Sequence, residues 1–384
     1  MALREEYTRS GNRSALSQRF WGADMHYEVA DLTWFKQAGM IGPFKSEKAA
    51  FSDRKFTNYP IVAVTDFDKN PGDRMTLPFF NQFETDDATT GAVYYGTDTL
   101  VDNEQNFNFK NVDIYINLER TGAAWLGKMS EIRGGHNMKE LGSEGLKLWQ
   151  VQRHDDAIFD ALYSGHNLAT TSSATGALAI STITHPNIYP AGDATSIAEL
   201  DSGDVLNAAY LENLQVEANV KNIPKCKFKG YDDVWPLLIH SYQWRTLRAD
   251  SAYKSEIAQG DLRGADNRLF SNAVGMYAGI LVMVVPGLNK IKTATGAEAG
   301  QKASNIRKAI LLGANSAFYA VKQGDSRIIP RLENDYENKN GLAIQSVLGC
   351  AAAHWISDDG NSTYTNQSSI LCPTWAQNPK SAAA

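Results

Sequence analysis

The side chains best able to do chemistry in this chain are seven histidines, three cysteines and one compact cluster, His154-Asp155-Asp156. General acid/base work needs an imidazole and a carboxylate converging on one pocket, whereas adjacent residues on a helix point about 100° apart. The cluster lies in a segment of helical spacing, where Asp155 falls midway between Leu148 and Leu162 on the face that these leucines make apolar. A carboxylate placed there is partly buried and must find an arginine, a lysine or a backbone N–H. The expectation is therefore a buried polar latch, not a catalyst. His26, His136, His166, His185, His240 and His354 show no HExxH, HxH or other paired ligand spacing. Cys226, Cys350 and Cys372 lie far apart with no CxxC pair, so neither a metal centre nor a disulfide framework is expected. A reducing place of folding follows from that usage.

Other chemistries leave as little trace. There is no GxxxxGK[ST] phosphate cradle, no GxSxG elbow, and Gly287 to Gly300 lacks the strand, glycine turn and helix order of a dinucleotide site. No cofactor is expected. The run Tyr242-Gln-Trp-Arg-Thr-Leu-Arg248 could stack and clamp a single strand of nucleic acid. At helical spacing, however, Trp244 and Leu247 enter the core while Arg245 and Arg248 stay wet. The chain as a whole carries a net charge of −6 with the two signs interspersed, so it has no basic stripe. The start of the chain mixes both charges around no apolar run, which does not read as a secretory signal. The most apolar stretch, Ala273 to Val285, is shorter than the roughly 18 residues of a membrane span.

With 384 residues the chain can bury one large core or two ordinary ones. Residues 1–57 read as an arm: Tyr27, Val29, Leu32, Trp34 and Phe35 are flanked by charged stretches and must be laid on another surface. Alternation follows in Arg74 to Phe83, then in Val112, Ile114, Ile116 and Leu118, which share one face of a half-buried hairpin. Between them residues 84–110 form a polar excursion too poor in apolar side chains for a core of its own. The strongest helix is predicted from Asn137 to Ser164. Asn137 and Glu140 make a capping box, Gly165 makes a stop, and Leu141, Leu148 and Leu162 form the apolar stripe. Its length is about 40 Å. Beyond it lie a loop-rich stretch with a short strand, Ala177 to Ile183, and a helical spacing from Ile197 to Val220. A strand from Val234 to His240 follows, whose Pro236 predicts a sheet edge or strand start. Ser241 is the expected cap of the next helix, and Ala303 to Val321 supplies another core segment. Interleaved strands and helices argue for an α+β fold.

The second half carries a two-part signature, Leu262 to Val282 and Asn334 to Gly349, each a polar, turn-rich stretch feeding an apolar run as a loop feeds a strand. Gly72 to Thr76, Asn117-Leu-Glu-Arg120, Asp155 to Leu162, Ile239 to Asp250 and Ala309 to Ala317 precede or separate the two parts in a fixed order. Together these motifs resemble the major capsid proteins of tailed phages, in the N4-type family with the HK97 fold. The resemblance implies a non-enzymatic subunit of an icosahedral shell around double-stranded DNA. It implies an N-terminal arm (1–57), a strand region with an extended loop (58–118), a peripheral domain with a spine helix (119–190, completed by 330–384) and an axial domain (191–329). Its partners would be itself, as pentamers and hexamers, with portal, scaffolding and decoration proteins and weak non-specific contact with DNA, and no membrane. Its location would be the virion, after assembly in the host cytoplasm. Asp86, Asp87, Asp102, Glu104, Lys110, Trp34 and Phe35 become candidate contacts between subunits, and Gly142 and Gly145 candidate yielding points of the spine helix. Two rivals stand beside this reading: a non-viral container of the same fold, and a soluble α+β hydrolase using His154 or His240 with a carboxylate.

Overall fold

The computed structural model describes residues 33–43, 58–64, 74–80, 109–126, 138–164, 185–228, 231–260, 275–285, 305–321, 327–330, 339–356, 364–366 and 368–376. In chain order these form helix α1 (Trp34–Gln37), strands β1 (Ile41–Pro43), β2 (Ile61–Val64), β3 (Arg74–Phe80), β4 (Phe109–Tyr115) and β5 (Asn117–Leu126), and the long helix α2 (Met138–Ser164). Helix α3 (Ala208–Val220), strands β6 (Cys226–Phe228) and β7 (Tyr231–Ile239), and helices α4 (Ser241–Ala249) and α5 (Ser251–Gly260) follow. The remainder is strand: β8 (Met276–Tyr277), β9 (Ile280–Val284), β10 (Ile306–Leu312), β11 (Ala317–Val321), β12 (Arg327–Pro330), β13 (Lys339–Ala352), β14 (Trp355–Ile356), β15 (Tyr364–Thr365) and β16 (Ser369–Trp375).

Two six-stranded sheets organise these elements. The first runs β1-β2-β11-β13-β12, with β5 also paired to β13 along Lys339 to Leu348. Burial along β13 alternates, with Leu342, Ile344, Ser346 and Leu348 on the inner face, as expected where only one side is fully covered. The second sheet runs β16-β10-β7-β9-β8, with β6 on β7. Its central strands are buried on both faces. Leu238, Ile310, Leu312 and Leu371 feed a core shared with the C-terminal half of α2. Leu237, Ile239, Leu311 and Ile370 feed a second core with α3 and α4. That double burial is why these strands read as continuous apolar runs in the sequence.

Sheet membership crosses the segment boundaries expected from the sequence. β11 lies within 191–329 yet pairs with β2 and β13 of the first sheet, and β16 lies within 330–384 yet pairs with β10 of the second. After crossing once between β5 and β6, the chain therefore passes between the sheets twice more, between β10 and β11 and between β13 and β16. Backbone bonds from Gly313 N to Ser368 O and from Ala353 N to Ser316 O tie the two passages together.

Several expectations are corrected. Leu141 and Leu148 do not line the buried face of α2: they are 52% and 58% exposed. The buried stripe is Leu146, Gln150, His154, Ile158 and Leu162, at steps of four, and Leu148 sits about 200° round the axis from Leu146. Two polar residues occupy the middle of that stripe, which is why a count of leucines picked the opposite face. Pro236 sits in the middle of β7, not at an edge. Trp235 N donates to Gly279 O on the β9 side, so the imino nitrogen of Pro236 turns the other way. Pairing to β10 there begins at Leu237, and pairing to β6 ends at Val234, so no ladder bond is lost. The cap of α4 is His240, not Ser241: its Nδ1 accepts from Tyr242 N, and Gln243 Oε1 accepts from His240 N. The spacing from Ile197 yields only a short 3-10 turn before α3 starts at Ala208, capped by Asn207. The apolar face predicted through Leu118 breaks at Ile116, where the chain leaves the β3-β4 hairpin for the first sheet. Val112 and Ile114 are fully buried while Leu118 is 46% exposed. Asn137, Gly165, the strand at 177–183 and the excursion up to residue 108 lie outside the described residues.

Candidate assembly latch and surface

The cluster that looked most like chemistry is a three-way attachment. Arg153, His154 and Asp155 are consecutive on α2 and so fan out by about 100° each, which brings each to a different element. Arg153 Nε donates to Glu119 Oε2 at 2.7 Å and its Nη2 to Glu119 Oε1 at 2.5 Å, a two-bond fork that holds α2 to β5. The Glu119 carboxylate holds the guanidinium above its ordinary range. His154, almost wholly buried, places Nδ1 2.7 Å from the Tyr319 hydroxyl on β11. Burial pushes the Tyr319 phenol well up.

Asp155 caps the arm. Its Oδ2 accepts from Trp34 N at 3.0 Å, the first free N–H of α1, while Thr33 before it supplies no side-chain cap. The contact joins residues 121 positions apart. Beside it Phe35 is fully buried, 4.7 Å between ring centroids from Phe159 and 5.1 Å from Trp34. Past Gly39, whose φ of 72° needs a residue without Cβ strain, Ile61 N bonds Met40 O and β1 lies parallel on β2. Burial raises the Asp155 carboxyl to about 6, against the Trp34 N–H that favours the ionised form and with Asp156 adding to the rise. Because His154 and Asp155 are bonded to separate elements, they do not form an acid/base pair.

The sequence-derived contact residues fall unevenly. Phe35 is corrected: its ring is spent on its own chain's core and has no surface to offer a neighbour. Trp34 is part-buried against the same cluster. Asp86, Asp87, Asp102 and Glu104 lie outside the described residues. Lys110 is described only as a backbone position, opposite Phe79 in the β3-β4 pair. On α2, a Cβ at Gly142 would lie 3.4 Å from Trp125 Cζ3 and 3.8 Å from Leu342 Cδ1, and one at Gly145 would meet nothing within 4 Å. What the sequence reading missed is the exposed apolar set: Leu118, Leu141 and Leu148 around α2 and β5, and Val216, Val220 and Met276 on the second sheet's side. Val216 and Val220, four apart on α3, carried a helical signal that the run of buried leucines nearby masked.

Among the described residues no group of three or more His, Cys, Asp or Glu is arranged to hold a metal ion, and no helix is long and apolar enough to cross a membrane. Cys226, Cys350 and Cys372 are free and buried, and burial raises all three thiols, that of Cys372 to about 12.

A family model described as phage capsid protein matches residues 37–372. The major capsid protein of Pseudomonas phage KPP25 is 23% identical over 290 residues, spanning 69% of this chain and 76% of that protein. Among solved structures, the capsid of Ralstonia phage GP4 superposes with a TM-score of 0.64 at 20% identity, covering 90% of this chain and 92% of that one. The cyanophage Pam1 capsid asymmetric unit does so with a TM-score of 0.67 at 17% identity, covering 86% and 95%.

Proposed function

The chain belongs to the phage capsid protein family and is the major capsid protein of a phage with an HK97-like fold, and from that premise we propose how it builds its shell. Subunits of the N4 type associate as pentamers and hexamers into an icosahedral container for double-stranded DNA. The observation that carries this reading is a family match running through both sheets and the spine helix, not through one of them. A role as a structural, non-enzymatic component of the virion follows from the family. The net charge of −6 supports a smooth inner wall, since a shell that gripped phosphates would hinder entry and exit of the duplex.

Association would rest on many repeated interfaces, each modest alone and stable through closed symmetry. Leu141, Leu148, Leu118, Val216, Val220 and Met276 are apolar surface that one chain leaves open, and the arm expected within residues 1–57, with the polar excursion, would supply the interlocking segments. Asp86, Asp87, Asp102, Glu104 and Lys110 would pair across subunits, with Trp34 at the root of the arm. The division into arm, strand region, peripheral and axial parts follows the same reading. Gly142 and Gly145 would let α2 bend when the domains reorient during maturation. Portal, scaffolding and decoration proteins are the further partners, and the host cytoplasm the place of assembly.

Negative-stain electron microscopy of the purified full-length protein, with size-exclusion chromatography, tests the proposal. Closed shells, tubes or capsomer rings are expected. A homogeneous monomer of about 42 kDa that stays monomeric when mixed with phage scaffolding protein would overturn it.

A further inference from the structure

The run Tyr242 to Arg248 folds into a cationic face on α4. Gln243 fixes the helix on the second sheet: its Nε2 donates to Arg307 O at 3.0 Å and to Thr374 Oγ1 at 2.7 Å, and its Oε1 accepts from His240 N. With Gln243 and Leu247 buried, the helix turns Arg245 and Arg248 outward, and both are exposed. They lie three residues apart on one face, with Tyr242 three residues before Arg245. Arg307 of β10 covers the Tyr242 ring, its Cζ 5.3 Å from the centroid, and Arg248 Cζ lies 6.0 Å from the centroid of Trp244. Among the described residues no carboxylate of the same chain is ion-paired with Arg245 or Arg248.

A second surface on the same core has the opposite charge. Residues 192–203 carry Asp193, Glu199 and Asp201, all exposed, with no lysine or arginine among them. The loop is a fixed projection from the sheet. At its start Ala191 N donates to Pro373 O at 3.2 Å, at its end Trp375 N donates to Asp204 O at 2.8 Å, and the buried Asp204 accepts from Asp201 N at 2.8 Å. Bonds from the Thr195 hydroxyl and N–H hold the Glu199 carboxyl below its ordinary range, so the loop keeps its charge. Ala191 and Leu200 root the loop in the same buried cluster that Leu247 roots α4 in. Among the described residues none of the three carboxylates is ion-paired with a cation of its own chain.

We propose that in the shell the arginine face of α4 docks onto the acidic loop 192–203 of a second copy of this chain. The inference rests on the shell reading and gives it one specific contact. Each copy carries one surface of each sign, and the two surfaces differ, so the contact is head to tail: the loop of one copy meets α4 of the next, and repetition closes a ring. Arginine suits the task, because its planar fork meets a carboxylate with two bonds and a guanidinium already laid on an aromatic ring loses little freedom on docking. Copies of a chain with a net charge of −6 repel one another in general, and a local match of opposite signs fixes which surfaces meet. A single exposed pair contributes little. The same pairing at every position around a ring gives it weight.

The test is a charge exchange in the full chain, read as the concentration at which half the chain is assembled, by size-exclusion chromatography and light scattering. Arg245→Glu/Arg248→Glu should raise that concentration about fivefold or more, and so should Asp193→Lys/Asp201→Lys. Mixed in equal amounts, the two variants should recover assembly, because each supplies the charge that the other has lost and an alternating hexameric ring satisfies every contact. Circular dichroism shows whether each variant is folded. Should the reversals fail to fold, Arg245→Ala/Arg248→Ala removes only exposed side chains and should still raise the concentration about two- to fivefold. The inference is overturned if the reversals, or the alanine variant in their stead, leave half-assembly unchanged. It is equally overturned if the mixture assembles no better than either variant alone, which would assign the arginines to another anion such as the packaged duplex. In both cases the wild-type chain still assembles, so the shell reading stands; a wild-type chain that stays monomeric overturns both.

Discussion

Replacing Gly142 and Gly145 with alanine makes opposite demands on packing and on motion, so it separates two ideas at once. Each glycine in a helix interior costs about 0.8–1.0 kcal/mol relative to alanine, because the unfolded chain has more freedom to lose. At Gly145 a Cβ has open space. At Gly142 its nearest neighbour is Trp125 at 3.4 Å, an ordinary van der Waals contact. Neither substitution meets a clash, so the pair should stabilise α2 by about 1.5–2 kcal/mol, or about 13- to 30-fold in the local opening constant. The sites are close enough to couple, which could shift that sum by about half a kcal/mol. The assay is amide exchange in peptides within Met138 to Trp149, read beside the rate at which assembled shells rearrange, followed by electron microscopy. Slower exchange and slower rearrangement are expected. Faster exchange would refute the packing argument. Slower exchange with an unaltered rearrangement would leave the packing intact and refute these glycines as the point where the helix yields.

Asp155 should make the anchorage of the arm depend on pH. Its folded value of about 6 lies above the ordinary 3.8, so its contribution is fully present below about 4 and is lost as pH rises through about 6. The full shift corresponds to about 3 kcal/mol, and solvent screening of a partly exposed carboxyl reduces this to on the order of 1 kcal/mol. Exchange in residues 33–43 should therefore quicken between pH 4 and pH 6. Asp155→Asn, which keeps an oxygen for Trp34 N, should flatten that dependence; an unchanged profile would show that another group titrates. Gly349→Ala should be harmful where the helix glycines are not. Its Cβ would fall 2.7 Å from Tyr115 O, and that backbone oxygen cannot swing aside as a side chain can. A loss of about 1–3 kcal/mol is expected, read as a lower denaturant midpoint, and an unshifted midpoint would refute the close approach of β4 to β13.

Much of the architecture was legible without coordinates, because it rests on local physics. The 27-residue helix announced itself by helical spacing, and β13 by an apolar run after a polar, turn-rich stretch. The central strands β7 and β10 showed as unbroken apolar runs, and the order of short motifs pointed to the capsid family. What the sequence could not reveal is which of several permitted partners each surface meets. The leucines of α2 defined a stripe, yet the helix buries the face holding Gln150 and His154, because Tyr319 offers a hydroxyl to the histidine and the first sheet supplies Leu342 and Ile344 for Leu146. Phe35 read as a residue held out for a neighbour and instead fills a space beside Phe159, 124 positions away in the chain. Pro236 is admitted to a central strand only because β6 stops and β10 starts on either side of it. His185 and His354 carried no motif at all, since they meet only when the segment edging β16 is folded against the exit of β13. Periodicity and propensity are properties of neighbours along the chain, whereas burial of a polar group depends on partners brought from far along it, and only the tertiary structure decides those.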